Sequence, residues 1–176
     1  MDGLLFDSER IVQRSWEMAG DELGIPHMGD VIYHTLGMNR TGRNEYFRKY
    51  IREDFPFEEF GRLTRDNFWR IVDKEGLPLK KGVKELLAYG KEQGYKMAVA
   101  TSSSREYAMG NLIRAGIDPY FDSVICGDMV KKAKPDPEIY QKASESLRIP
   151  PEYCMAFEDA PGGILSAHQA GMKVIM

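Results

Sequence analysis

Short apolar runs alternate with helical segments over residues 95–176, and this alternation limits the possible folds more than any other feature. The runs cover residues 95–100, 123–126, 154–157 and 173–176. Each run is nearly continuous, which is typical of parallel strands that are covered on both faces. Helical patterns lie between them, over residues 104–115, 137–147 and 161–170. This order predicts right-handed βαβ units and an α/β fold with a doubly wound, mainly parallel, Rossmann-like sheet.

A different pattern occupies residues 9–78, which contain helical periodicity and no convincing strand. Helices are predicted there over residues 10–23, 41–51 and 58–74. Bulky side chains sufficient for a small separate core are Trp16, Phe47, Phe60, Phe68 and Trp69. We therefore predict an α/β core made of residues 1–8 and 79–176, with an inserted α-helical domain at residues 9–78.

The balance of charged and apolar residues argues against several classes of partner. The 176 residues include 24 Lys and Arg against 27 Asp and Glu, a net charge of −3, so a nucleic-acid backbone is not an expected partner. No apolar run approaches the roughly 20 residues that cross a bilayer, and no secretory signal pattern is present. Cys126 and Cys154 lack metal-type spacing, which predicts reduced thiols and a cytoplasmic location.

Polar residues follow the predicted strands, at the end where open α/β sheets bind ligands. Thr101 and Ser102 follow the first strand and open a helix, where hydroxyls and backbone amides suit an anion such as phosphate. Lys134 follows the second strand and stands beside Pro135, so it can act as a fixed positive charge toward a phosphate. Taken singly, the hydroxyls are also typical of a helix cap, and the lysine is also typical of a solvated loop.

Two adjacent carboxylates, Glu158 and Asp159, follow the third predicted strand. Carboxylate oxygens suit Mg²⁺, so the pair predicts a magnesium site, with an acidic helix cap as the alternative. Asp2 and Gly3 add an acidic turn near the first residue. Each signal is weak alone, but the ordered set predicts a Mg²⁺-dependent phosphoryl-transfer site.

The same residues resemble the four motifs of the haloacid dehalogenase superfamily. Residues 2–9 are similar to the later part of its first motif, Thr101 to the second, Lys134-Pro135 to the third and Glu158-Asp159 to the fourth. The motifs occur in the family's order and span nearly the whole chain. The resemblance is greatest to the sugar-phosphate phosphatases and β-phosphoglucomutase-like members, and it implies that residues 9–78 are a helical cap domain.

The resemblance also implies roles for the motif residues. Asp2 would protonate the leaving alcohol, activate the hydrolytic water and offer its backbone carbonyl to Mg²⁺. Thr101 and Ser102 would hold phosphate oxygens, while Lys134 offsets charge between the nucleophile and the phosphate. Glu158 and Asp159 would bind the metal, Asp159 directly. The implied activity is Mg²⁺-dependent hydrolysis of a small phosphorylated metabolite, such as a sugar phosphate, through an aspartyl-phosphate intermediate.

The nucleophile of such a reaction is expected outside residues 1–176. The family's first motif reads Asp-x-Asp-Gly, and its first Asp is the nucleophile. Met1 matches the x and Asp2 the second Asp, so the nucleophile would stand one residue before Met1. On this interpretation both ends are trimmed, and the chain as written is inactive although its parent protein is an enzyme.

Two sequence features bear on the substrate and on the type of reaction. Asn39 and Arg40 lie between two predicted cap helices, where this subgroup often places a specificity loop, although a surface arginine is the alternative. The mutases of the subgroup carry a histidine four residues after the Ser or Thr that follows the acidic turn. Counted from Ser8, that position holds Val12, which cannot transfer a proton. This favours hydrolysis over phosphosugar mutase chemistry.

Other functions remain open on the sequence alone. A haloacid dehalogenase shares the fold but needs neither Mg²⁺ nor the aspartate at position 2. A phospho-receiver signalling domain has a similar set of residues but lacks a helical insertion of this length. A non-catalytic binding protein of the same fold is the third alternative. We expect a monomer or weak dimer, with no nucleic-acid or membrane partner.

Overall fold

The chain folds into two compact units. The computed structural model describes residues 1–35 and 40–176, with side chains for all of these except residues 40 and 41. Residues Met1–Asp7 and Leu77–Met176 form an α/β unit, and residues Ser8–Gly76 form a helical unit. The predicted domain limits differ from these limits by one or two residues. That the helical unit acts as a cap stays a prediction.

The helical unit is built around an aromatic core. Its helices are α1 (Ser8–Leu23), α2 (Met28–Thr35), α3 (Arg40–Tyr50) and α4 (Phe57–Glu75). The rings of Trp16, Phe47 and Phe60 meet edge to face, with centroids 5.6 to 5.8 Å apart. Phe68 is buried and contacts the half-buried Trp69 with centroids 5.6 Å apart. Aromatic pairs in this geometry add stabilisation beyond the apolar area that they bury.

Helix α2 was not predicted from the sequence. Its first turn depends on a distant residue, because the Gly29 N–H donates to the Glu17 carboxylate of α1 at 2.7 Å. Such a cap satisfies one of the free amides at a helix start, and a local sequence pattern does not reveal it.

The α/β unit alternates helices with short parallel strands. Its elements are α5 (Val83–Glu92), β1 (Ala98–Ala100), α6 (Arg105–Arg114), β2 (Ser123–Ile125), α7 (Glu138–Leu147), β3 (Met155–Phe157), α8 (Pro161–Gln169) and β4 (Lys173–Ile175). Short 3₁₀ turns occupy Asp118–Tyr120, Gly127–Met129 and Pro151–Tyr153. The predicted α/β class with parallel strands is confirmed. In the described part of the chain, no helix is long and apolar enough to cross a membrane.

The strands are shorter than predicted and pair two by two. β1 pairs with β2, and β3 pairs with β4, both in parallel. Among the described residues, no strand pairing joins these two sheets. The first strand starts at Ala98 instead of at residue 95, because the Tyr95 N–H still donates to the Gly90 carbonyl of α5 and so completes that helix. A shared apolar cluster, which includes Ile139 of α7, Ile125 of β2 and Ala156 of β3, packs against both pairs.

The first seven residues belong to the α/β unit. Phe6 is fully buried and forms a bridge with Leu79. The Asp7 N–H donates to the Pro78 carbonyl, and the Lys80 N–H donates to the Leu5 carbonyl, each at 2.9 Å. Residues 1–7 are therefore anchored by backbone hydrogen bonds to the segment that follows the helical unit, and this fixes Asp2 in the α/β unit.

We predict that Phe47→Ala lowers the free energy of unfolding by about 3–5 kcal/mol, because it leaves a cavity among packed rings. The exposed Tyr33, on α2 of the same unit, provides the control. Tyr33→Ala should change the same quantity by less than about 0.5 kcal/mol. Urea denaturation followed by tryptophan fluorescence measures both variants, and equal losses would contradict the assigned core.

Candidate functional site

The segment after β1 places Thr101 at the end of a hydrogen-bonded ladder. The Thr101 N–H donates to the Ile125 carbonyl of β2 at 3.0 Å, and its side chain is buried. Its hydroxyl accepts a hydrogen bond from the Ser103 N–H at 3.2 Å. Ser102, between them, is exposed. The turn thus presents hydroxyls and the start of α6 at the carboxyl end of the strand, as an anion site requires.

A buried ion pair connects β1 to β3. The Lys134 ammonium contacts the Glu158 carboxylate, with the two side chains only 13% and 8% exposed. The ammonium also donates to the Ala100 carbonyl at the end of β1, at 3.3 Å. Tyr140 of α7 donates its hydroxyl to the same Glu158 oxygen at 2.7 Å, and its ring lies 4.8 Å from the ammonium. A lysine held in this way is a fixed positive charge.

The environment of Glu158 keeps it ionised. Burial alone would raise the pKa of Glu158, but hydrogen bonds from Lys134 and Tyr140, together with the charge of Lys134, outweigh it and hold that pKa below its ordinary value. The second carboxylate oxygen accepts from the N–H groups of Asp159 and Ala160 at 3.1 and 3.3 Å. Both oxygens of Glu158 are therefore occupied by donors. Gly163 lies so close to this carboxylate that a Cβ there would collide with it.

Asp2 is held by two hydroxyl donors from the segment after β1 and from α6. Ser103 donates to one carboxylate oxygen at 3.0 Å, and Tyr107 donates to the other at 2.9 Å. Burial and the negative charge of Asp2 raise the pKa of the Tyr107 phenol, so the phenol keeps its proton and remains a donor. The hydrogen bonds join Asp2 to the same turn that contains Thr101.

Asp159 completes the group by its approach to the first residues. Gly3 has a φ of +75°, and a Cβ at that position would collide with the Asp159 carboxylate. Only glycine adopts this backbone conformation readily and also leaves room for the Asp159 carboxylate. Asp159 is exposed, and in the described part of the chain no side chain donates a hydrogen bond to its carboxylate. The carboxylate thus remains available for a ligand.

The backbone amino group of Met1 lies among these charges. Burial lowers its pKa, as does the charge of Lys134, whereas the carboxylates of Asp2, Glu158 and Asp159 raise it. Three sets of contacts link these residues. Asp2 is bonded to Ser103, which follows β1, and Lys134 joins the end of β1 to Glu158. Asp159 closely approaches Gly3. The structure brings Asp2, Thr101, Lys134, Glu158 and Asp159 together at one end of the α/β unit.

The structure does not test the two proposed substrate residues. Asn39 is outside the described residues, and Arg40 begins α3 without a described side chain. Ser103, Tyr107 and Tyr140 belong to the site but were not singled out from the sequence. Ser103 stands in the Thr101–Ser104 run, so the hydroxyl pattern contains a signal for it. The two tyrosines lie on helices, where nothing in the local sequence separates a site residue from a packing residue.

The residues fit a magnesium ion in part. No group of three or more His, Cys, Asp or Glu side chains gathers around one point within residues 1–35 and 40–176. Mg²⁺ usually takes one or two carboxylates together with waters and substrate phosphate oxygens, so it does not require such a cage. Asp159 fits this pattern because its carboxylate is exposed beside the Asp2 segment. Glu158 does not fit as a direct ligand, because donors already occupy both of its oxygens.

Comparison with known proteins finds relatives that span nearly the whole chain. Residues 1–176 match the family described as haloacid dehalogenase-like hydrolase. A phosphorylated carbohydrates phosphatase from Thermotoga maritima is 31% identical, over 99% of this chain and 81% of its own length. A Thermotoga maritima structure provisionally described as a β-phosphoglucomutase superimposes with a TM-score of 0.84 at 30% identity, over 99% of this chain and 81% of that one. CbbY from Rhodobacter sphaeroides, solved with phosphate, gives a TM-score of 0.72 at 26% identity, over the same shares.

Lys134→Met should destabilise the α/β unit at pH 7, because it leaves the Glu158 charge buried without its partner. We expect a loss of about 3–5 kcal/mol in the free energy of unfolding. The lowered pKa of Glu158 means that the pair stabilises the fold above the unfolded-state value of about 4.3, and that this contribution disappears as the pH falls through the folded-state value. The difference between variant and wild type should therefore shrink as the pH falls below about 4.

Urea denaturation at pH 7 and at about pH 3 measures this difference. Lys132→Met is the matched control, because Lys132 is 74% exposed and lies 3.5 Å from Asp136 on the surface. Its loss should stay below about 1 kcal/mol at pH 7. An equal loss for both variants, or a Lys134→Met loss that does not shrink in acid, would contradict the assigned role of the ion pair.

Proposed function

Because this chain belongs to the haloacid dehalogenase-like hydrolases, we propose that it forms the phosphate site of a Mg²⁺-dependent phosphatase for a small phosphorylated metabolite. Hydrolysis of a phosphate ester is supported by the phosphatase among its relatives. A phosphorylated carbohydrate is the favoured substrate, since that relative is named for such substrates. We further propose that the helical unit selects the substrate.

One observation carries the proposal: Asp2, Lys134 and Asp159 lie at the carboxyl ends of β1 and β3 although they are far apart in sequence. Positioning and charge neutralisation dominate phosphoryl transfer, and this arrangement supplies both. Thr101 and the amide of Ser102 would hold phosphate oxygens. The Lys134 ammonium, fixed by Glu158 and Tyr140, would face the phosphate as a charge that does not move.

The charges of the site support a metal ion. Asp2, Glu158 and Asp159 place three carboxylates at this end of the α/β unit without converging on one point, and a phosphate dianion beside them would be repelled. Lys134 is already paired with Glu158, so it does not offset this repulsion alone. Mg²⁺ bound at Asp159 would neutralise phosphate charge. Glu158 would support the site indirectly, by fixing Lys134 and by accepting the Asp159 N–H.

The proposed chemistry has two steps. An aspartate placed immediately before Met1 would attack phosphorus, and the P–O bond to the substrate would break as Asp2 gives its proton to the leaving alcohol. Water would then attack the aspartyl-phosphate while Asp2 takes the water proton, which releases phosphate and restores the nucleophilic carboxylate and the protonated Asp2. A residue joined to Met1 would stand beside the turn that contains Asp2, because the Met1 carbonyl accepts from the Leu5 and Phe6 N–H groups.

Mutase chemistry is the second candidate, because a structural relative at TM-score 0.84 is provisionally described as a β-phosphoglucomutase. Val12 occupies the position that carries a histidine in mutases of this subgroup, which favours hydrolysis. The two activities differ in product: a phosphatase releases inorganic phosphate, whereas a mutase returns an isomeric phosphosugar.

The direct test is a phosphate-release screen of the protein expressed with the residues that its gene encodes before Met1, against a panel of phosphomonoesters. We expect release from at least one small sugar phosphate, loss of that activity with EDTA, and recovery with Mg²⁺. Residues 1–176 alone should release no phosphate. Failure of the longer protein on every substrate, or activity that EDTA does not affect, would contradict the proposal.

Asp2→Asn should lower the turnover of the longer protein by about 100-fold or more, because the amide cannot transfer the proton. Asp7→Asn is the matched control, because Asp7 ends the same segment and lies 3.9 Å from Lys80 at the surface. Steady-state phosphate release measures both variants. Unchanged turnover in Asp2→Asn, or equal losses in the two variants, would contradict the role of Asp2.

A further inference from the structure

The carboxylate of Asp2 has an unusual pair of donors. Its two oxygens accept hydrogen bonds from two different hydroxyls, Ser103 at 3.0 Å and Tyr107 at 2.9 Å. These donors lie 101 and 105 positions away in sequence. Each carboxylate oxygen keeps a second lone-pair direction free. The carboxylate is therefore held on both sides by the two hydroxyls.

Both donors are themselves held in place. The Tyr107 N–H donates to the hydroxyl of Ser104, the N-cap of α6, at 3.4 Å. The Tyr107 carbonyl accepts from the side-chain amide of the buried Asn111 at 3.0 Å. The Ser103 N–H donates to Thr101, and its carbonyl accepts from the Gly127 N–H at 2.9 Å. The two hydroxyls thus belong to a fixed frame at the start of α6.

We propose that Tyr107 and Ser103 are positioning residues that aim the Asp2 carboxylate at the leaving-group oxygen. This inference rests on the proposed function, in which Asp2 is the general acid. A carboxylate rotates freely about its terminal bond, and a displacement of about 1 Å at a catalytic group lowers rates by as much as 100-fold. Two donors from one rigid frame prevent that rotation. Tyr107 is the more informative of the two, because its phenol can be removed with little change in shape.

The alternative is a purely structural contact that ties residues 1–7 to α6. A positioning role and a structural role predict different effects of the leaving group on the reaction rate of the variants. An alkyl phosphate releases a basic alkoxide, which needs the proton of Asp2, whereas 4-nitrophenyl phosphate releases a stable phenolate that needs little protonation. Loss of positioning therefore slows the alkyl ester selectively. Loss of structure slows both esters alike.

The test measures kcat/KM, which includes leaving-group departure, for the best alkyl phosphate and for 4-nitrophenyl phosphate. The protein carries the residues encoded before Met1. Tyr107→Phe should lower kcat/KM about tenfold for the alkyl ester and less than about twofold for the aryl ester. In the Asp2→Asn background, Tyr107→Phe should cause no further loss, because it acts through Asp2. The control is Tyr153→Phe, whose ring is 79% exposed, and it should leave both values unchanged.

Ser103 provides an independent pair of variants. Ser103→Ala should produce the same selective loss, and Ser103→Thr, which keeps the hydroxyl, should restore most of it. If the wild-type protein hydrolyses neither ester, the proposed function fails and this inference fails with it. If the wild type is active but Tyr107→Phe slows both esters equally or neither, only the inference is overturned. Equal behaviour of Ser103→Ala and Ser103→Thr would also overturn the assignment of Ser103.

Discussion

The buried pair of Lys134 and Glu158 is the interaction on which the rest of the site depends. Charges in a low-dielectric interior must be paired and hydrogen-bonded, and here the Tyr140 hydroxyl and two backbone amides complete the pairing. Because Lys134 also binds the carbonyl of Ala100, the pair connects the carboxyl ends of β1 and β3. Two sheets without shared strand pairing are thus joined by side chains at the end where the candidate site lies.

A second constraint is the close approach of Gly3 to Asp159. It brings residues 1–7 next to the segment after β3, while the hydroxyls of Ser103 and Tyr107 hold Asp2 from the side of β1. Acidic groups that repel one another are thereby assembled around one fixed lysine. Such a group of charges does not by itself stabilise the fold, and clusters of charged groups of this kind are typical of functional sites.

Much of this organisation follows from local sequence, and the rest depends on contacts across the fold. The ends of the strands were predictable because apolar runs stop abruptly at Thr101 and Glu158, so the polar residues that follow were predictable as well. Helix α2 was not predicted because its capping carboxylate, Glu17, lies on another helix. The site role of Tyr107 was not predicted because its partner, Asp2, is 105 positions away in sequence. The helical periodicity around Tyr107 does not distinguish it from a packing residue. The cap role of the helical unit, the cytoplasmic location and the oligomeric state stay predictions.

Under the proposed function, Asp2, Thr101, Lys134 and Asp159 would all contact one phosphoryl group or its metal ion. Titration of isotopically labelled residues 1–176 with inorganic phosphate and Mg²⁺, followed by NMR, tests it most directly and does not require turnover. We expect the resonances of these four residues and of Ser102 to shift together along a single binding curve, and we expect Lys134→Met to abolish the shift. Scattered shifts with separate affinities, or shifts that Lys134→Met leaves intact, would contradict it.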